Sequence, residues 1–157
     1  MYDIVLVTSK GDVDCGPACL AMLLNYYGEP VTLDEMIAEC GARIGGCTGM
    51  DLLRVGRAHG LDMTSYRMEA AELIRQDRPG ICWWTYNHFV VFCGRDGSGN
   101  VVIANPGRGR FALDPESFGK LFSGVSFWNG IPETLPEDEE ATAQDYEAAL
   151  EQLGVSL

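Results

Sequence analysis

Histidine is almost missing from this chain: 157 residues contain two, His59 and His88. Basic residues are also few, 11 Lys and Arg against 23 Asp and Glu, for a formal net charge of −12. A surface so poor in cations argues against nucleic acid as a partner, because phosphate binding needs positive charge. No apolar run approaches the roughly 20 residues of a membrane-spanning helix. The start, Met1-Tyr2-Asp3-Ile4-Val5-Leu6-Val7, has neither the basic opening nor the small-residue cleavage site of a signal peptide, and reads as a strand. A cytoplasmic location with reduced thiols is the expectation for the six cysteines. Cys15 and Cys19 are spaced C-x3-C, and Cys40 and Cys47 C-x6-C. Neither is the short zinc-knuckle spacing, so no metal is expected. No internal repeat or low-complexity tract is visible.

What is present suits one folded domain. Hydrophobic residues make up 46% of the chain, too many for disorder. The charge is uneven. From Leu121 onward there are eight acidic residues and no Lys or Arg, which leaves 15 acidic against 11 basic before it, a balance of −4. The reading is a domain over 1–131 and an acidic extension over 132–157. That extension carries a short helix with Ala143, Tyr146, Ala149, Leu150 and Leu153 on one stripe. Its charge run reads as a solvated face.

The richest segment is Asp14-Cys15-Gly16-Pro17-Ala18-Cys19-Leu20. It opens a helix whose apolar positions Leu20, Leu23, Leu24 and Tyr27 recur at i, i+3, i+4 and i+7, and which Gly28 and Pro30 stop. Asp14 is a suitable N-cap, and Pro17 is tolerated in a first turn, where its missing N–H costs nothing. Cys15 therefore lies at the positive end of a helix dipole, which favours thiolate, the nucleophilic form. Cys19, Cys82 and Cys93 read as core, and Cys47 as an exposed, oxidisable thiol.

A nucleophilic thiol needs a base. His59 ends a helix at Ala58-His59-Gly60, where the dipole explains it structurally. His88 opens the apolar run His88-Phe89-Val90-Val91-Phe92-Cys93, where a polar ring needs a reason. The next apolar run, Val101-Val102-Ile103-Ala104, ends in Asn105-Pro106-Gly107, and the turn-rich 94–100 segment makes the two a hairpin. Asn105 then falls beside His88, where its amide oxygen can accept the imidazole N–H and fix the tautomer, a Cys-His-Asn arrangement. Asn105 also suffices as a plain turn former before proline.

Asp14 to Gly28 resembles the cysteine box of the bacteriocin-processing peptidases, papain-like enzymes that remove leader peptides after a double glycine. Asn87-His88-Phe89-Val90-Val91 resembles their histidine box, and Ile103-Ala104-Asn105-Pro106-Gly107 the segment carrying their third catalytic residue. Val31 to Met36, Gly49 to Leu53 and Ala58 to Leu61 are similar to the family's intervening helices and turn. The similarity runs over roughly residues 3 to 130. It implies an α+β papain-like cysteine peptidase fold, with Cys15 as nucleophile, His88 as base and acid, Asn105 as orienter, a peptide or protein substrate and no cofactor. The family is often fused to a transporter with an ATPase, so export would fall to a separate exporter protein. Two departures stand out. The third residue is Asn105 where the family usually has aspartate. The oxyanion-hole glutamine before the cysteine is missing, with Ser9 at about its position beside the Cys15 backbone N–H. A catalytically weak leader-peptide-binding module, or an acyltransferase using the same thiol, fits the same residues.

Thr32 to Glu35 and Thr48 to Asp51 read as capping boxes, and Leu73-Ile74 as a short helix ended by Pro79-Gly80. Ile81–Thr85, His88–Cys93, Val101–Ala104 and Val125–Trp128 read as antiparallel strands, with a helix from Asp114 to Leu121 between the last two. The expected architecture is a helical N-terminal lobe and an antiparallel β-sheet C-terminal lobe, thiol and histidine meeting at a cleft between them. Trp83, Trp84 and Tyr86 flank the histidine strand and read more readily as core than as substrate platform.

Overall fold

A computed structural model describes residues 1–11, 13–41 and 46–130. The acidic extension over 132–157 and its helix lie outside the described residues.

The first helix, α1 (Cys15–Tyr26), is buried from Gly16 to Leu24 on every side. It is a core helix and not a surface helix with one apolar stripe. Tyr27, expected on its buried face, lies past the helix end as the C-cap and is 37% exposed. α2 (Leu33–Cys40) starts at Thr32, whose hydroxyl accepts the Glu35 backbone N–H. The expected return bond is not made, because the Glu35 carboxylate takes the Thr32 hydroxyl instead. α3 (Gly49–Ala58) has the full reciprocal box between Thr48 and Asp51.

Then come β1 (Met63–Arg67), α4 (Ala70–Gln76), β2 (Gly80–Trp84), β3 (His88–Arg95), β4 (Val101–Asn105) and β5 (Gly109–Leu113). α5 (Pro115–Leu121) and β6 (Phe122–Asn129) complete the described chain. α5 begins as expected, with the Asp114 carboxylate accepting the Ser117 N–H and proline in the first turn.

The six strands form one antiparallel sheet in the order β1-β6-β2-β3-β4-β5. Strand alternation splits the core between its two faces. Ile81, Trp83, Phe89, Val91, Cys93, Val125 and Phe127 pack under α1, α2 and α3. Cys82, Trp84, Val90, Phe92, Phe122 and Trp128 pack with Leu73 of α4 and Phe118 of α5 on the other face. The expected α+β architecture holds, with helices on both faces of the sheet.

The opening segment is not a strand. The Tyr2 N–H bonds the Cys93 carbonyl at 2.8 Å, but the Ile4 N–H turns back onto Tyr2, which breaks any ladder. Ile4 is nonetheless fully buried, while Val5 is 72% exposed.

Candidate active site

The β2–β3 connection, Thr85-Tyr86-Asn87, is a three-residue hairpin loop between the paired residues Trp84 and His88. The Asn87 N–H bonds the Trp84 carbonyl, and Asn87 itself adopts the left-handed conformation at φ 57°. That is the type I turn plus left-handed residue common to three-residue hairpins. The Asn87 side chain is held by the buried Trp83 indole N–H at 3.0 Å. His88 is thereby fixed at the first position of β3.

The β3–β4 register pairs Val91 with Ala104 and Phe92 with Ile103. Extended by one residue, it sets Asn105 across from Val90, so His88 is Asn105's diagonal neighbour on the same face. His88 Nε2 lies 2.8 Å from Asn105 Oδ1. The same oxygen accepts the Gly107 backbone N–H at 2.9 Å. A backbone N–H can only donate, so this atom is the amide oxygen and the imidazole donates to it. Nε2 therefore carries a proton, and in the neutral ring the lone pair is on Nδ1. Asn105 is 2% exposed, so this pair is shielded from water.

Cys15 is half-buried at the start of α1. Burial pushes its thiol up from the usual range, and the neighbouring Asp14 charge pushes the same way. Backbone N–H groups of Phe89, Gly16 and Cys15 itself pull it back. This corrects the expectation of a thiolate favoured by the helix start, because desolvation outweighs the amides. Asp14 also departs from its expected role. Its carboxylate accepts the backbone N–H groups of Lys10 and Gly11 at 2.7 and 2.9 Å, pinning the preceding loop instead of capping the helix. The first amides of α1 are left facing the thiol. Cys15 shares the wall of one hollow with Asn87 and Phe89, the neighbours of His88, which brings the thiol to the opening residues of β3.

Ser9 lies at the Asn105-Pro106-Gly107 turn, where its backbone N–H donates to the Pro106 carbonyl at 3.0 Å. Its hydroxyl is then the one Ser9 donor left for an oxyanion. Cys47 is half-buried, not exposed, and its thiol is pushed up by contact with Cys40 and by burial. Cys19, Cys82 and Cys93 are core, as expected, and Cys40 joins them. His59 caps α3 and lies 2.8 Å from Glu39 and 3.4 Å from Glu29, the structural role expected of it.

Tyr86 is the residue that sequence reasoning placed wrongly. Trp83 and Trp84 are buried, but Tyr86 is 56% exposed and lies flat against the His88 ring, centroids 5.4 Å apart at 10°. Burial pushes its hydroxyl up from the usual range, while Arg108 and the Asn105 side chain pull it back. The signal was its place at the tip of a short hairpin, where a side chain has no layer to be buried in.

Two hollows border this cluster. One, of about 60 Å³, is lined by Val13, Cys15, Gly16, Gly46, Cys47, Asn87 and Phe89. A Cβ on Gly16 would lie 2.3 Å from the Cys47 sulfur, and one on Gly46 3.0 Å from the Val13 carbonyl oxygen. The other, of about 310 Å³, lies on the Asn105 side between Trp84, Tyr86, Asn105, Arg108, Phe111 and Leu121.

An antiparallel sheet with a cysteine at the start of its central helix, and a His–Asn pair on adjoining strands, defines the papain-like cysteine peptidase class of fold. The sequence profile of the peptidase C39 family matches residues 3–128, and the chain belongs to that family. A crystal structure of a double glycine motif protease from an AMS/PCAT transporter, in complex with its leader peptide, superposes with a TM-score of 0.76 at 31% identity. That match covers 80% of this chain and 90% of the other. The probable functional amyloid protease FapD of Pseudomonas aeruginosa is 33% identical over 135 residues, 78% of this chain and 58% of its own length. The probable microcin-H47 secretion/processing ATP-binding protein MchF of Escherichia coli is 28% identical over 134 residues. That alignment takes in 81% of this chain but 18% of the relative, whereas a Methanothermobacter marburgensis protein is matched over 85% of its length. Among the described residues no helix is long and apolar enough to cross a membrane.

Proposed function

We propose that this chain is a cysteine peptidase that cleaves a peptide bond after a double-glycine-type leader sequence. The observation that carries the reading is the Nε2–Asn105 bond, which leaves His88 Nδ1 as a base at the strand start that the Cys15 thiol adjoins. Nδ1 takes the thiol proton as Sγ attacks the scissile carbonyl carbon. The resulting oxyanion is met by the Cys15 N–H and the Ser9 hydroxyl. His88 returns the proton to the departing amine, leaving a thioester on Cys15. Water, deprotonated by His88, then releases the acid and restores the thiol. A thiol raised by burial fits this order, since proton transfer to His88 accompanies attack and no standing thiolate is needed. The small hollow beside the thiol supports glycine before the cut, because the Cys47 sulfur and the Val13 carbonyl leave little width. The family's association with transporters makes a separate exporter protein the natural partner, and a cytoplasmic site of action follows from that pairing.

The test is cleavage of synthetic peptides that carry a Gly-Gly pair, with mass spectrometry of products and of trapped enzyme. Cutting after the pair, an acyl adduct on Cys15 and loss of turnover in Cys15→Ala are expected. Saturable binding without turnover would reassign the chain to a leader-binding module. Faster adduct turnover on adding an amine would reassign it to acyl transfer.

A further inference from the structure

The larger hollow has no part in the chemistry above. It is lined by Tyr86 and Asn105, both in contact with the His88 ring, and shares no lining residue with the thiol hollow. If His88 protonates the departing amine, the chain that follows that amine leaves along the His88 side of the cleft. The hollow at Tyr86 and Asn105 is the concave surface on that side. Its floor is apolar, made by Phe111, Leu121 and Trp84. Two of its donors lack acceptors among the described residues. The Arg108 backbone N–H is taken by the Asn105 carbonyl, but among the described residues no carboxylate pairs with its exposed guanidinium. The buried Trp84 indole N–H also has no acceptor among the described residues. Arg108 lies close enough to pull the Tyr86 hydroxyl down against the effect of burial. The hollow thus offers an aromatic wall, an apolar floor and, at the rim, a guanidinium with no carboxylate partner among the described residues.

Resting on the peptidase reading, we propose that this hollow is a specificity subsite for an acidic side chain within the first two residues after the scissile bond. The aliphatic stem of a glutamate would lie between Tyr86 and Phe111, with its carboxylate on Arg108, whose planar fork suits that group. A lysine there would face Arg108 across the same apolar walls, so discrimination comes from repulsion as well as attraction.

The experiment uses Gly-Gly peptides that differ only in carrying glutamate, glutamine or lysine at each of the first three positions after the cut. kcat/KM is measured for the parent and for Arg108→Gln and Arg108→Glu. Glutamate should exceed lysine by roughly tenfold at the first or second position, one attraction gained and one repulsion avoided at a partly exposed cation. Arg108→Gln should erase that ratio and Arg108→Glu invert it. Affinities of the same peptides for Cys15→Ala, read by fluorescence anisotropy, carry the same ratio if turnover is absent. Cleavage with equal rates for glutamate and lysine at all three positions overturns the subsite and leaves the peptidase reading intact. Absence of cleavage with charge-selective binding does the reverse. Equal binding in Cys15→Ala without cleavage removes both. Thermal melts of the two Arg108 variants check that the turn persists.

Discussion

A single oxygen, Asn105 Oδ1, carries the strongest inference about the site, because its bond from the Gly107 N–H fixes which end of the amide faces His88. An asparagine orients the ring but gives an imidazolium no opposing charge. A carboxylate at that position would supply one. Asn105→Asp should therefore keep activity and move the basic limb of the kcat/KM–pH profile upward. Asn105→Ala should lose at least about tenfold in kcat/KM, a part of what a positioned base contributes, with little change in Tm because Pro106 and the backbone bonds still hold the turn. An alanine variant as active as the parent, with an unmoved profile in the aspartate variant, would reduce Asn105 to a turn former.

At the scale of elements, α1 and the loop before α3 meet at one glycine. A methyl group on Gly16 would lie 2.3 Å from the Cys47 sulfur and 3.4 Å from the Phe89 ring. Gly16→Ala should cost about 1–3 kcal/mol, as overpacking commonly does. It should also depress kcat/KM further than the lost stability explains, since the displaced residue adjoins Cys15. A denaturant titration beside a peptide-cleavage assay separates the two, and equal activity per folded molecule would refute the second part. The sequence was informative where an element is held by its own pattern. Strong caps and apolar runs announced the helices and the four inner strands to within a few residues, and the hairpin logic placed Asn105 with His88. The two strands missed, β1 and β5, are the sheet's edges. An edge strand is held by one neighbour, so its own sequence need not alternate apolar and polar. Met63-Thr64-Ser65-Tyr66-Arg67 does not, and Gly109 to Leu113 alternates only between half-buried and exposed. Residues 1–7 misled in the opposite direction, since Ile4, Leu6 and Val7 pack without joining the sheet. At Cys15 the helix dipole was legible, but the burial that outweighs it comes from the packed fold, which no local pattern contains.

For the whole molecule, His59 links three parts of the helical face: the end of α3, Glu39 of α2 and Glu29 in the connection after α1. Hydrogen bonds that the ring donates to Glu39 and then to Glu29 raise its pKa above the ordinary histidine value of 6.5. A histidine raised on folding contributes stability that is complete below the unfolded value and is lost as pH rises through the folded one. The Tm advantage of the parent over His59→Gln should accordingly be larger at pH 6 than at pH 8.5, and a gap independent of pH would rule the linkage out. The central strand β3 has a different consequence. It supplies His88, places Phe89 in the wall of the thiol hollow, and is paired on both sides by β2 and β4. Such a strand has no free edge along which to open locally, so the His88–Asn105 pair and the global fold should be lost in one cooperative event. Amide protons of β3 would then exchange with solvent only through complete unfolding, which places His88 in the slowest-exchanging core of the protein.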